Sequence, residues 1–357
     1  MTAAAVNPDF WNGRRVLLTG HTGFKGAWAA LWLAKMGADV TGISLAPDGE
    51  FSLFGILQPR LSLTSHLLDI RDKGALANAV TEANPEIVLH MAAQALVRRS
   101  YREPEETFAV NVTGSINLME ALRDLEGLKA ALMITSDKVY RNDDSGRAFV
   151  ESDPLGGDDP YSASKAACEI AVASYAKSFF YDNNVPVATA RAGNVIGGGD
   201  FSEDRLIPDI WRAARDGESV TLRYPGATRP WQHVLESVSG YLLYLQALAM
   251  DKGAGVPKAL NFGPEKIENL TVGEIARDVQ AAFGIPDDWS LEKAAQPPEK
   301  THLALDASLA RKTIGWRANW TAETALARTV DWYKAFNEGA DMYDFTLSQI
   351  TAYEARS

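Results

Sequence analysis

The stretch that most constrains this chain is Thr19–Gly26, T-G-H-T-G-F-K-G, which follows the apolar run Val16-Leu17-Leu18 and opens a periodic apolar segment, Ala27 to Met36. A strand running into a tight glycine turn and then a helix is the setting of a dinucleotide-binding fingerprint. The three glycines have separate tasks. Gly20 permits the tight turn, Gly23 lets the backbone approach a pyrophosphate, and Gly26 allows close helix–strand packing. The N–H groups and positive dipole end of the following helix then receive the phosphates. The spacing is G-x-x-G-x-x-G rather than the commoner G-x-G-x-x-G, and a plain connecting turn would leave the same three letters.

The chain beyond the turn favours the first reading. Asp39–Ser44 reads as a second strand, Leu63–Asp69 as a third, residues 73–83 as a helix, and Glu86–Met91 as a buried strand after Pro85. A helix over Pro104–Glu126 and an apolar strand over Ala130–Thr135 follow. A polar loop, Asn142 to Pro160, then leads to a helix over Tyr161–Phe180, started by Asp158-Asp159-Pro160, and a strand over Val187–Arg191. Strands alternating with helices predict an α/β fold, a Rossmann-type doubly wound parallel sheet covered on both faces. Past Gly197 the pattern becomes irregular, with Gly, Pro and Trp scattered to about residue 235. At 357 residues the chain exceeds the size of one ordinary core. The expected division is a dinucleotide-binding domain over 1–194, with segments near 231–265 returning to it, and a smaller, mixed substrate-binding lobe over most of 195–357.

A net charge of -11 argues against sequence-independent nucleic-acid binding, which needs a basic face, so any anionic ligand must be held by a local cluster. The single cysteine, Cys168, excludes an intrachain disulfide framework and reads as a small buried apolar residue. Residues 1–13 carry no apolar segment preceded by basic residues, and Tyr241–Met250, interrupted by Gln246, falls short of the roughly 20 residues that cross a bilayer. A cytoplasmic protein is expected, with no membrane partner and no metal.

Two further constellations carry chemistry. Tyr161-Ser162-Ala163-Ser164-Lys165 is a Y-x-x-x-K, which on a helix puts phenol and ammonium on one face, one turn apart. A free tyrosine titrates near ~10, and a positive charge at about 4 Å in an intermediate dielectric is worth roughly 4 kcal/mol, enough to make a phenolate accessible. Such a phenolate can take a hydroxyl proton while a nicotinamide takes hydride from the same carbon. The second is Thr135-Ser136-Asp137-Lys138-Val139-Tyr140, at the carboxyl end of a strand, where open parallel sheets bind ligands. Ser136 can hydrogen-bond a reacting oxygen, and Asp137 and Lys138 add an acid and a base at the same rim, although a helix cap and a solvated charge would use the same residues.

These elements, in this order, resemble the extended short-chain dehydrogenase/reductases that act on nucleotide sugars, in which the G-x-x-G-x-x-G spacing occurs. The likeness is greatest to the CDP-glucose 4,6-dehydratases. It rests on T-G-H-T-G-F-K-G-A-W at 19–28, G-I-S-L-A-P at 42–47, T-S-D-K-V-Y at 135–140, D-P-L-G-G-D-D-P-Y-S-A-S-K-A at 153–166, R-A-G-N-V-I-G-G-G-D at 191–200 and R-P-W-Q-H-V at 229–234. It spans nearly the whole chain. It implies that Gly20, Gly23 and Gly26, with Phe24 and Lys25 between them, hold the pyrophosphate of NAD. Asp69 and Ile70 would flank the adenine, Ala92 would line the cofactor cleft, and Tyr161 and Lys165 would meet both cofactor and sugar. Asn194 and Arg229, with Arg205 as a further candidate, are expected near the substrate diphosphate, where such side chains give directional contacts. One residue departs from the common pattern: Ser44 stands where an acidic residue would bind the ribose hydroxyls of NAD, and no arginine follows to claim a 2′-phosphate.

The resemblance further implies oxidation at carbon 4, elimination of water across carbons 5 and 6, and return of hydride to carbon 6. The product is a 4-keto-6-deoxy sugar of the kind built into lipopolysaccharide O-antigens, made by a homodimer or a dimer of dimers. Two rivals remain. A nucleotide-sugar 4-epimerase shares the first half-reaction but has no use for both Asp137 and Lys138, and a non-catalytic dinucleotide-sensing protein has no use for Tyr161 and Lys165.

Overall fold

In the computed structural model, which describes residues 4–265, 270–292 and 302–355, the chain begins its sheet with β1, Arg15–Thr19. The remaining strands are β2 (Asp39–Ser44), β3 (Thr64–Leu67), β4 (Ile87–His90), β5 (Ala130–Ile134), β6 (Val187–Ala192), β7 (Val195–Ile196), β8 (Val220–Leu222), β9 (Gln232–His233), β10 (Ala259–Phe262) and β11 (Trp289–Leu291). Seven of them form one sheet in the order β10-β6-β5-β4-β1-β2-β3, every neighbouring pair parallel. Every residue of β4, β5 and β6 is buried. Unbroken runs of this kind are required where helices cover both faces of a parallel sheet.

The two faces carry separate cores. One gathers Trp28, Trp32, Leu242 and Phe262, and the other Leu17, Ile43, Leu118, Met133 and Val172. The strand order reverses between β1 and β4, which opens a crevice at their carboxyl ends. The chain returns to this sheet late. β10 adds to the edge beside β6, and the almost wholly buried helix Val234–Ala249 packs against β5 and the helix Phe24–Lys35. Two small parallel pairs, β7–β9 and β8–β11, lie outside the main sheet.

Three expectations about local structure are corrected. The helix expected over Pro104–Glu126 is Pro104–Phe108, a wide π turn over Ala109–Gly114, and Ser115–Leu122. The bulge turns Asn111 inward, where its Nδ2 donates to Gln94 O (3.1 Å) and Ser164 Oγ (2.9 Å) and its Oδ1 accepts from Gln94 N (2.9 Å). The helix after the polar loop runs regularly only from Pro160 to Tyr175 and then widens into another π turn to Phe180. Past Gly197 the irregular letters conceal regular helices, Leu206–Asp216, Val272–Phe283, Ala322–Asn337 and Met342–Glu354.

The scattered glycines and tryptophans of this region are packing partners. Trp28 Nε1 donates to Gly198 O at 3.0 Å, and a Cβ on Gly198 would stand 1.8 Å from the Trp332 ring. Tyr333 OH donates to Asp200 O.

Candidate active site

The crevice is a cleft of about 600 Å³, and its lining includes all seventeen residues singled out in the sequence as candidate site residues. The glycine turn forms one end. Gly20 has φ +79°, and a Cβ there would meet Ala92 N at 2.7 Å. Thr19 Oγ1 accepts from both Met91 N and Ala92 N at 3.1 Å, which straps Ala92 over the turn. A Cβ on Gly26 would lie 2.0 Å from Gly20 O. The helix Phe24–Lys35 begins at Gly23 with no side-chain cap and no acidic residue in its first turn. Its N-terminus is therefore shaped to take an anion.

Gly26→Ala forces backbone apart from backbone, a clash that costs about 1–3 kcal/mol or more in a packed site. We expect it to weaken dinucleotide binding at least about tenfold, read by tryptophan fluorescence titration.

Farther along the cleft, Ile70 is buried and Asp69 is half-buried, its carboxylate gripped by Arg71 (Nε 2.9 Å and Nη2 2.6 Å from Oδ2), which holds its pKa below the usual range. The Ser44 and Thr22 hydroxyls hydrogen-bond at 2.6 Å, and Thr22 Oγ1 donates to Leu45 O. Ser44 thus ties the end of β2 to the glycine turn.

The middle of the cleft holds the reactive side chains. The helix Pro160–Tyr175 starts where Asp159 accepts from Ser162 N at 2.9 Å, which sets Tyr161 in its first turn. Tyr161 and Lys165 are both buried on the cleft wall, one turn apart on this helix. Lys165 Nζ donates to Ile134 O at 3.2 Å, and burial lowers its pKa. Burial likewise raises the pKa of Tyr161, with the Ser136 hydroxyl pulling the other way. For both groups desolvation is the largest influence.

Ser136 caps the short turn Asp137–Val139, accepting from Lys138 N at 3.2 Å, and its hydroxyl donates to Asp137 Oδ1 at 3.0 Å. Asp137 is 2% exposed, and its Oδ2 has no hydrogen-bond partner among the described residues. Burial raises its pKa against the pull of Lys138, Lys25 and Arg229, so the carboxyl is biased toward its protonated form. Lys25 reaches into the same space, and burial brings its pKa down to about 8.

The far end is basic. Arg205 lies at the start of the helix Leu206–Asp216 and donates to Ala95 O at 3.4 Å, and Arg229 Nη1 donates to Thr228 O at 2.9 Å. Asn194 sits between β6 and β7 on the same wall. Sequence reasoning missed several neighbours. Arg98 and Arg223 also line this end, and both bind Asp204. Behind the reactive wall, Glu169 accepts from Arg191 (2.9 and 2.8 Å), Thr135 (2.6 Å) and Thr189 (2.7 Å), and Arg191 also donates to Tyr140 OH (2.8 Å). A lone carboxylate four residues beyond Lys165 and eight beyond Tyr161, among apolar letters, was the available signal for Glu169. Arg98 and Arg223 left none.

With this geometry in hand, comparison with known proteins is informative. Residues 17–329 match the family model described as GDP-mannose 4,6 dehydratase. The chain belongs to that family. Within the dehydratases, it is 43% identical over 98% of its length to the CDP-glucose 4,6-dehydratase of Salmonella typhimurium, 98% of which is covered. Two solved structures share its fold. A dTDP-glucose 4,6-dehydratase from Streptomyces venezuelae, with NAD and TYD bound, superposes with TM-score 0.77 at 25% identity, covering 92% of this chain and 99% of that one. The UDP-glucose 4-epimerase of Thermus thermophilus, in complex with NAD, gives 0.76 at 25% identity over 89% and 98%. Fold alone therefore does not separate dehydratase from epimerase, and the separation rests on side chains. No helix among the described residues is long and apolar enough to cross a membrane.

Proposed function

We propose that this member of the family converts CDP-glucose to CDP-4-keto-6-deoxyglucose and water, as an NAD-dependent hydro-lyase. The observation that carries this reading is the buried Asp137, its Oδ2 without a hydrogen-bond partner among the described residues, beside Lys138 on the wall that also holds Tyr161. A 4-epimerase needs no acid and base at carbons 5 and 6, and a non-catalytic sensor needs none of the three.

The glycine turn fits a dinucleotide because side-chain-free backbone is what Gly20 and Gly26 require there. Gly20, Gly23 and Gly26, with the first-turn N–H groups of Phe24 and Lys25, hold the pyrophosphate; Ser44, Asp69 and Ile70 border the adenosine, and Ala92 and Lys165 the nicotinamide side. When bound, NAD would supply the redox chemistry, taking hydride from carbon 4 and returning it to carbon 6, with a solvent-derived proton completing carbon 5. Tyr161 takes the proton of the 4-hydroxyl, with Ser136 holding the same oxygen. The carbon 4 ketone acidifies the proton on carbon 5. Lys138 acts in the elimination, either removing that proton or stabilising the enolate charge, and Asp137 protonates the departing 6-hydroxyl. Asn194, Arg205 and Arg229 grip the diphosphate, which does not change during the reaction.

The chain works as a homodimer or dimer of dimers through the helices Pro160–Tyr175 and Ser115–Leu122, beside which Ile170, Phe179 and Tyr181 are exposed apolar residues. We assign it to the cytoplasm and to the making of deoxysugars such as those of O-antigens.

The test is incubation with a panel of nucleotide glucoses, following the alkali absorbance of a keto-deoxy product. Product from CDP-glucose supports the reading, while a new epimer without that absorbance, or no turnover at all, overturns it. Lys138→Met should still oxidise the sugar but lose elimination and solvent deuterium incorporation at carbon 5. Product formation at the normal rate in this variant would make Lys138 a rim charge.

A further inference from the structure

Asp204 occupies an unusual place in the cleft. Its carboxylate accepts from Arg98 Nη1 at 2.7 Å and Arg223 Nη1 at 3.0 Å, and all three residues line the basic end. The arginines come from opposite sides: Arg98 from the helix Val97–Arg102 that follows β4, and Arg223 from the end of β8. Asp204 is held with φ +60°, a conformation that favours Asn and Asp among non-glycine residues. Both contacts are single-nitrogen bonds to Oδ1, and although Arg223 Nη2 also faces Asp209 Oδ2 at 3.9 Å, that is beyond hydrogen-bond reach, so each guanidinium keeps further donors for another anion.

A carboxylate in the middle of a site built for a diphosphate opposes that ligand, since it occupies the cations the phosphates need and repels them as well. We propose that Asp204 is a stand-in anion: it holds Arg98 and Arg223 together in the empty site and surrenders them to the diphosphate of the bound nucleotide. This rests on the nucleotide-sugar reading. Both ion pairs are partly exposed, so they are weak enough to be exchanged at each turnover. A ligand with two phosphates displaces the carboxylate, whereas a single phosphate competes poorly. Asp204 thereby sets a preference for nucleoside diphosphates over monophosphates and helps expel the spent nucleotide when the arginines return.

The prediction is a gain of affinity, which damage to the fold does not produce. Asp204→Asn keeps the shape and suits the backbone angle. By calorimetry it should bind CDP and inorganic pyrophosphate about tenfold more tightly than the unaltered protein, with a smaller CDP-over-CMP ratio and unchanged NAD binding. Arg223→Gln should weaken both ligands, and Asp204→Asn added to Arg223→Gln should recover little of the loss. Equal or weaker CDP and pyrophosphate binding in Asp204→Asn overturns the proposal. Pyrophosphate reads the arginines whichever nucleoside the site accepts. An unaltered protein that binds pyrophosphate but not CDP therefore overturns the CDP assignment and still leaves the stand-in role measurable.

Discussion

Tyr161→Phe lowers turnover about 100- to 10,000-fold while NAD affinity is retained, because the change deletes one hydroxyl and leaves the glycine turn intact. The side chain is buried at the middle of the cleft, and the change removes the phenol placed there to take the 4-hydroxyl proton. Stopped-flow measurement of nicotinamide reduction on mixing with CDP-glucose reads the oxidation step directly. That signal should slow by the same factor as overall turnover. A variant that reduces the nicotinamide normally but fails later would move Tyr161 out of the first step and into the elimination.

The largest expected loss of stability follows from Glu169→Ala. Burial opposes the charge of Arg191, and Glu169 overcomes it, raising the arginine pKa. The two side chains are 4% and 5% exposed, so removing the carboxylate leaves the buried guanidinium with only Tyr140 OH and Glu151 O to donate to and takes from Thr135 and Thr189 their carboxylate acceptor. Breaking a buried pair in this way costs about 3–5 kcal/mol. Urea unfolding should show a midpoint shift of that size with an unchanged slope. A loss below about 1 kcal/mol, the ordinary worth of an exposed pair, would mean that water reaches Arg191. Activity is also expected to suffer, since Thr135 immediately precedes the Ser136–Lys138 wall and Glu169 lies one turn beyond Lys165.

The parallel sheet was legible because its strands are buried on both faces and so are written as unbroken apolar words such as Ile87-Val88-Leu89 and Ala130-Ala131-Leu132-Met133. Gly26 was legible for a related reason: a close backbone approach leaves one acceptable letter. Asn111 was not, because the π bulge that turns it inward is a tertiary demand with no signature in a helix-forming segment. The burial of Tyr161 and Lys165 was not either. Spacing along a helix gives the distance between two groups, but their titration depends on how much water the surrounding sheet and loops exclude. Arg98, Asp204 and Arg223 come from three separate segments, and nothing local announces that they meet.

The contact between Gly198 and Trp332 has a consequence for the order in which the enzyme is made. The loop carrying Asn194 to Asp200 is wedged between Trp28, synthesised before it, and Trp332 and Tyr333, synthesised well after it. A chain still emerging from the ribosome has its glycine turn and its tyrosine–lysine pair long before the second jaw of that wedge exists. The Asn194–Asp200 wall of the cleft is therefore finished only after Trp332 and Tyr333 have been made, and a nascent chain has its glycine turn before it has the rest of its cleft.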